Sequence, residues 1–489
     1  MLPTQPKNQR LAATLLLLAL IIIPNSGCTT GLKANNQSKL SELTDKSQRN
    51  SSVIAQTTPQ EIVQNNEMRS LPGKLDSVPM FNSNSPEWVK TEGILLSTFP
   101  PDNKSVTAAH LNFPFQGRFD LFAHHFTHTP PNLQTLYLGL IIHNPTNQSI
   151  TVDVLQAASY LMEPDAPFKQ KPPMVENTNG EVYSGPGIRA VDTVLRGIRQ
   201  SNFPAKLVIP AGESRMLMNL PIPVKDLEKP INGRSTFMRL NSSGKIYVAS
   251  LAMYAKKNPN GTDRAPTLSE WQQLLNTGGL AGPRDKTPTP PEQVGGQLIY
   301  GRVAGVQEGS QWQAQLVDNT NAKTLTIPQP NKAFSYPIST LRGGRMGTNQ
   351  SQAARMLVRY PDTAYESHGN YGVQYDLSLP LINPTDQPQT VTLTLETPIK
   401  EDQLSLQGLR FRQPPLDFPY FRGTVRLRYI NDQGQSLTRY LHLWQRRGQL
   451  VEPLVQVQLA PGEKRLIQLD FLYPPDSTPP QVLTVKTVE

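Results

Sequence analysis

One signature occurs twice in this 489-residue chain, and it constrains the fold more than any other feature. Its first copy runs Leu138, Leu140, Ile142, Asn144, Pro145, Thr146, Gln148; its second runs Leu377, Leu379, Leu381, Asn383, Pro384, Thr385, Gln387. In both, apolar residues stand two, four and six places before the asparagine, which is the period of a half-buried strand. Alternation resumes after the turn at Ile150, Val152 and Val154, and at Val391, Leu393 and Leu395, in the same even register. Asn-Pro-Thr is turn chemistry: the asparagine side chain bonds to nearby backbone, and the proline disfavours helix for the residue before it. Each copy therefore predicts a β-hairpin or a corner between two sheets. A second pair of turns follows in the same order, Pro210-Ala211-Gly212-Glu213 and Ala460-Pro461-Gly462-Glu463, each preceded by an apolar strand. Asn144 to Gly212 is 68 residues and Asn383 to Gly462 is 79.

This order of strands and turns predicts an all-β chain of two β-sandwich (immunoglobulin-like) units, joined by a short helix and a Pro-rich linker. Composition agrees, with 46 prolines and only 17% charged residues favouring strands and turns over long helices. The helix is announced by Pro266-Thr267-Leu268-Ser269-Glu270-Trp271, a capping box in which Thr267 caps and Glu270 reaches back to its backbone amide. Gly278 and Gly279 end it, and residues 283–291 read as linker. Strands are expected again over residues 297–303, 311–316 and 324–327. The division that results is 1–28 signal peptide of lipoprotein type, 29–72 disordered polar tether, 73–256 first sandwich, 257–296 helix and linker, and 297–489 second sandwich.

The presequence points to export. Lys7 and Arg10 precede an apolar run from Leu11 to Ile23, interrupted only by Thr14, and a small turn-prone stretch follows. At 13 residues that run is shorter than the roughly 20 a transmembrane helix needs. Cys28, the sole cysteine, follows Ser26 and Gly27, the placement of a lipid attachment residue, although Asn25 departs from the apolar residue usual there. The alternative is an ordinary cleavage near Gly27 or Cys28 that leaves a soluble protein. The polar residues that follow bury too little apolar surface to offset the entropy of ordering them, so they read as a tether. Removing Lys7 and Arg10 from the formal charge of +9 leaves +7 for the mature chain. The basic residues are scattered without a run of five, which argues against nucleic acid as a partner.

Several longer words carry a resemblance. They are Leu111 to His125, Asp153 to Tyr160, Ala281 to Lys286, His368 to Val373 and Tyr473 to Gln481. From about residue 70 to its end the chain resembles an uncharacterised family of cyanobacterial exported proteins known only as a domain of unknown function. The resemblance implies a cyanobacterial envelope setting and brings no activity, cofactor or catalytic residue.

Five of the seven histidines fall between residues 110 and 143. His124, His125 and His128 form a His-His-x-x-His cluster, and neutral imidazoles bind zinc, copper or nickel. On a strand, however, His124 and His125 face opposite sides, and the nearest carboxylate upstream is Asp120. These three are weak metal candidates, and surface or backbone-bonded histidines are the expectation. His368-Gly369-Asn370-Tyr371-Gly372 would let backbone approach a ligand, or make a tight entry into the next strand; the second reading is preferred. Glu163 and Asp165, flanked by Pro164 and Pro167, read as an exposed loop and not as a hydrolytic carboxylate pair. No nucleophile elbow, phosphate loop or His-Glu-x-x-His pair is present. The expectation is a non-catalytic envelope protein without cofactor, in the periplasm or outer membrane. A lipid anchor would hold it to a membrane, and its head would bind polysaccharide, peptidoglycan or another envelope protein. The alternative is an envelope hydrolase acting on glycans.

Overall fold

Even-numbered alternation around the two asparagines sets the cores. In a computed structural model that describes residues 59–488, Leu138, Leu140, Ile142, Ile150, Val152 and Val154 all enter one apolar core. Leu377, Leu379, Leu381, Val391, Leu393 and Leu395 enter a second. The presequence, Cys28 and the tether up to residue 58 lie outside the described residues.

Of the two readings of Asn-Pro-Thr, the structure shows the corner. Strand Leu136–His143 pairs with Ser214–Ile222, whereas strand Ile150–Leu161 pairs with Lys206–Ile209. The turn thus carries the chain from one sheet layer to the layer facing it. The second copy repeats these partners: Gln374–Ile382 pairs with Lys464–Leu472, and Gln389–Glu396 with Val455–Leu459. Register is preserved as well, because His143 faces Ser214 just as Ile382 faces Lys464.

The described chain is nearly all β, with two α-helices, Pro186–Leu195 and Leu268–Thr277. An 11-stranded sheet doubles back on itself because the 24-residue strand Ile231–Tyr254 belongs to both of its layers. Its first part pairs with Phe115–His128 and Ile150–Leu161; its last part pairs with Leu136–His143 and Gly93–Ser97. The first core fills the space between these layers. An eight-stranded sheet centred on Lys464–Leu472, which pairs with Gln374–Ile382, faces a five-stranded one centred on Gln481–Val488 across the second core.

Helix Pro186–Leu195 is wedged between the two systems, with Ala190, Val191, Val194 and Leu195 packed into a core that also takes Phe122, Ala158 and Phe237. Helix Leu268–Thr277 carries the predicted capping box, Thr267 and Glu270 bonding reciprocally. It lies on the outer face of the first sheet, where fully buried Trp271 sits with Ile141, Tyr247 and Leu251.

Strands are exchanged between early and late parts of the chain. Ala304–Glu308 lies between Pro79–Ser83 and Ala354–Arg359, so strands beyond residue 296 widen the first sheet. In return, Met174–Glu176 adds to Ser436–Arg446, and Lys74–Leu75 to Gln311–Gln315. Residues 60–72, assigned by composition to the tether, are ordered. Gln60–Gln64 pairs with Leu409–Gln413, Glu67–Met68 pairs with Ala333–Ile338, and Leu71 is buried. The strand expected at 297–303 begins instead at Ala304, because Gly295, Gly296 and Gly301 take positive φ and Thr289 holds Ile299 in an irregular rim.

Candidate functional site

The histidine cluster is pulled apart by strand geometry. His124 and His125 sit on Phe115–His128 and point to opposite faces, while His128 is exposed at its end, its ring edge against Trp88. Both His125 nitrogens are engaged, Nε2 with Ser83 Oγ at 2.9 Å and Nδ1 with the Pro86 carbonyl at 2.8 Å. Burial pushes this imidazole down to about 3, so it stays neutral. The three histidines do not converge.

His124 instead meets two carboxylates from distant sequence. Its Nδ1 is held by Ser235 Oγ at 2.6 Å, and its Nε2 lies 3.5 Å from Asp476 Oδ1. Glu87 arrives on the segment after Pro79–Ser83, which the amide of Phe126 fixes by donating to the Glu87 carbonyl. The ligand-type atoms of Glu87, His124 and Asp476 all lie within 4.8 Å of one another. Two arginines share the place: Arg302 pairs with Glu87, and Arg422 donates to the Asp476 carbonyl at 3.3 Å. Although burial opposes it, His124 and the guanidinium groups of Arg422 and Arg302 hold the Asp476 carboxyl below its ordinary value. A His-Asp-Glu set is suitable chemistry for zinc or manganese. Here, however, two guanidinium groups already supply the positive charge, and a divalent ion would add to charge that is hard to desolvate. The arrangement reads as a buried charge network fastening residues 474–480 to the first sheet.

The loop His368–Gly372 does make the tight strand entry preferred from sequence. Asn370 is buried at φ 49° and its amide donates to the Gln352 carbonyl and the Tyr375 hydroxyl. Gly372 has φ 83°, and a Cβ there would stand 2.4 Å from Phe237. The loop also borders a cleft. Its cavity of about 200 Å³ is walled by Leu298, Tyr300, Arg342, Arg345, Tyr365, Glu366 and His368. Arg342 donates to the carbonyls of Pro290, Pro291 and Gln293, which makes the Pro-rich stretch the rim of this cleft. Tyr300 donates to the Arg342 carbonyl and accepts from Lys400 Nζ, each at 2.7 Å. Burial pushes Lys400 down to about 7 and His368 to about 4. Glu366 is raised by desolvation against the opposing charge of Arg345.

Glu163 and Asp165 are structural. Asp165 accepts from the Leu161 amide at 2.8 Å, and the Glu163 amide and carbonyl both bond the side chain of Asn232. Sequence reasoning missed Glu87, Asp476 and, apart from His368, the cleft wall. Nothing local marks them, since Glu87 and Asp476 meet only through folding, although the positive φ of 62° at Asp476 belongs to a residue type that tolerates it.

Fold and site together define a nearly all-β protein of several packed sheets, with a half-buried cluster of Glu87, His124, Asp476 and two arginines and an aromatic, arginine-lined cleft. The chain belongs to the family described as Protein of unknown function (DUF3370), which matches residues 66–487. No curated protein matches it. Among solved structures, Lac15 from a marine microbial metagenome is 9% identical with a TM-score of 0.11, covering 76% of this chain and 56% of its own. The Macrobrachium rosenbergii nodavirus structure is 10% identical, also with a TM-score of 0.11, covering 96% and 98%. At such scores neither likeness carries an argument.

Proposed function

We propose that this is a non-catalytic protein of a bacterial, by resemblance cyanobacterial, cell envelope. It is exported to the periplasm or outer membrane, held to a membrane by lipid on Cys28, and binds envelope polysaccharide, peptidoglycan or protein through its head. Each copy of the repeat is read as one immunoglobulin-like sandwich, the two exchanging edge strands. The observation that carries the non-catalytic reading is the state of Glu87 and Asp476. These carboxylates approach one another as a hydrolytic pair would, yet Arg302 engages one and His124 faces the other. The rival reading, an envelope glycan hydrolase, rests on that same approach. A general acid needs a raised pKa, and Asp476 is shifted the opposite way.

The experiment is a pull-down of the mature head with purified cell-wall and outer-membrane fractions, alongside assays for release of sugar. Enrichment over a charge-matched control without sugar release supports the proposal; no enrichment sinks it. For the anchor, Cys28→Ser should abolish lipid labelling, and wild-type protein should stay with membranes through a high-salt wash that releases electrostatically adsorbed proteins. Complete release by salt would overturn the lipid attachment.

A further inference from the structure

We infer that the cleft beside Tyr300 and Tyr365 binds a single pyranose unit bearing a carboxylate, the acidic sugar of an envelope polysaccharide. This deepens the envelope-binding reading and rests on it. Size comes first. At about 200 Å³ the cavity is smaller than the roughly 300 Å³ at which sites for drug-sized ligands begin, so it suits one ring and not a folded chain.

The lining comes second. Leu298 and the rings of Tyr300 and Tyr365 give apolar surface for the C–H face of a sugar, and Glu366 and Ser351 can bond its hydroxyls. The walls are rigid: Arg342 clamps the rim, the Tyr300 hydroxyl is bonded on both sides, and Arg359 lies 3.8 Å over the Tyr365 ring. A preformed site avoids the ordering cost that weakens flexible ones.

Charge decides the ligand class. Arg345 is held by its backbone, its amide donating to Asp402 Oδ1 at 3.2 Å, while its guanidinium stands 3.5 Å from Asp402 Oδ2. Among the described residues that guanidinium makes no hydrogen bond with the geometry of a fork on a carboxylate, and its side chain is 33% exposed. Its planar N–H groups match a carboxylate oxygen pair. Arg342 adds positive charge beside it and half-buried Lys400 a further ammonium, only partly protonated near neutral pH, against Glu366 in the lining and Asp402 behind Arg345.

The test is titration of the full mature chain with galacturonate and glucuronate oligosaccharides, a neutral glucan, and a sugar phosphate, with the cell-wall pull-down run in parallel. Uronate binding that falls about tenfold or more in Arg345→Ala, with an unchanged melting temperature, is the expected result. Arg355→Ala, which removes an exposed arginine outside the cleft, should bind as wild type does. Equal binding of the neutral glucan, preference for the sugar phosphate, or uronate binding unaffected by Arg345→Ala would each overturn the inference. Cell-wall enrichment without uronate binding overturns it too, and leaves the envelope-binding reading standing. Failure of both pull-down and titration removes both.

Discussion

Asn144 and Asn383 are where a single residue joins two turns. Asn144 Nδ2 donates to the carbonyls of Gln148, Ile209 and Pro210 at 2.7, 2.9 and 3.0 Å, and its Oδ1 accepts from the Thr146 amide and hydroxyl. Asn383 repeats the set on Gln387, Leu459, Ala460 and Thr385. Asn-Pro-Thr and the later Gly-Glu turn therefore recur together because one fully buried amide bonds both. The turn chemistry was legible from sequence; the bonds across 66 and 77 residues, to Pro210 and Ala460, were not. Asn383→Ala should cost about 2–4 kcal/mol, since it leaves buried carbonyls without donors, and the urea midpoint should fall accordingly. Asn383→Asp should fare no better, because it places an acceptor against three carbonyls. A loss below about 0.5 kcal/mol would show the clamp to be dispensable. Buried titratable groups set the pH profile. Burial lowers His125 and His442 to about 3 and His110 and His368 to about 4, from 6.5. Stability from keeping them neutral is complete above 6.5 and is lost as pH falls towards those values, at up to about 1.4 kcal/mol per pH unit for each. Glu396, raised by burial to about 7, acts oppositely: its contribution is complete below 4.5 and lost as pH rises through 7. The melting temperature should therefore fall steeply below about pH 6. His442→Leu should flatten the acid side, because both its ring nitrogens are buried without partners.

At the level of elements, the copies differ where a helix has been added. Gly139 in the first copy corresponds to Ser378 in the second. A Cβ at Gly139 would lie 2.8 Å from the Trp271 ring, so glycine is needed to seat helix Leu268–Thr277 flat on its strand. Gly139→Ser should unseat it, costing about 1–3 kcal/mol and moving tryptophan emission to the red. An unchanged spectrum would mean that the strand yields instead. The capping box made this helix readable. The other helix, Pro186–Leu195, went unread although Pro186 stands at its first position and Ile188, Val191, Val194 and Leu195 keep helical spacing. At ten residues, amid turn-rich sequence, that pattern was short. Strands were the easier part, because period-two alternation survives wherever one face is buried.

Across the whole molecule, the exchanged strands tie the two halves into one folding unit. Ala304–Glu308 completes a sheet begun by early strands, and helix Pro186–Leu195 fills a core shared with late ones. Thermal or urea unfolding of the mature chain should give one transition, and residues 73–256 expressed alone should remain unfolded or aggregate through exposed apolar surface. Two separated transitions with a soluble, folded 73–256 fragment would refute this. Sequence alone resolved the repeat and the even-numbered core positions, which depend on neighbours along the chain. It could not resolve which distant segments meet: His124 was visible as a candidate, but its partners Glu87 and Asp476 come from opposite ends of the described chain.

The pairing of Gln60–Gln64 with Leu409–Gln413 also has a mechanical meaning. A load applied at Gln60 enters the described residues through this strand. A pull along the strand shears five residue pairs at once, together with the ion pair of Glu61 and Arg410. A pull across it peels them singly, starting where Gln60 faces Gln413. This edge of the fold is therefore strong in one direction and weak in the other, and the direction of a pull decides whether the strand holds or unzips.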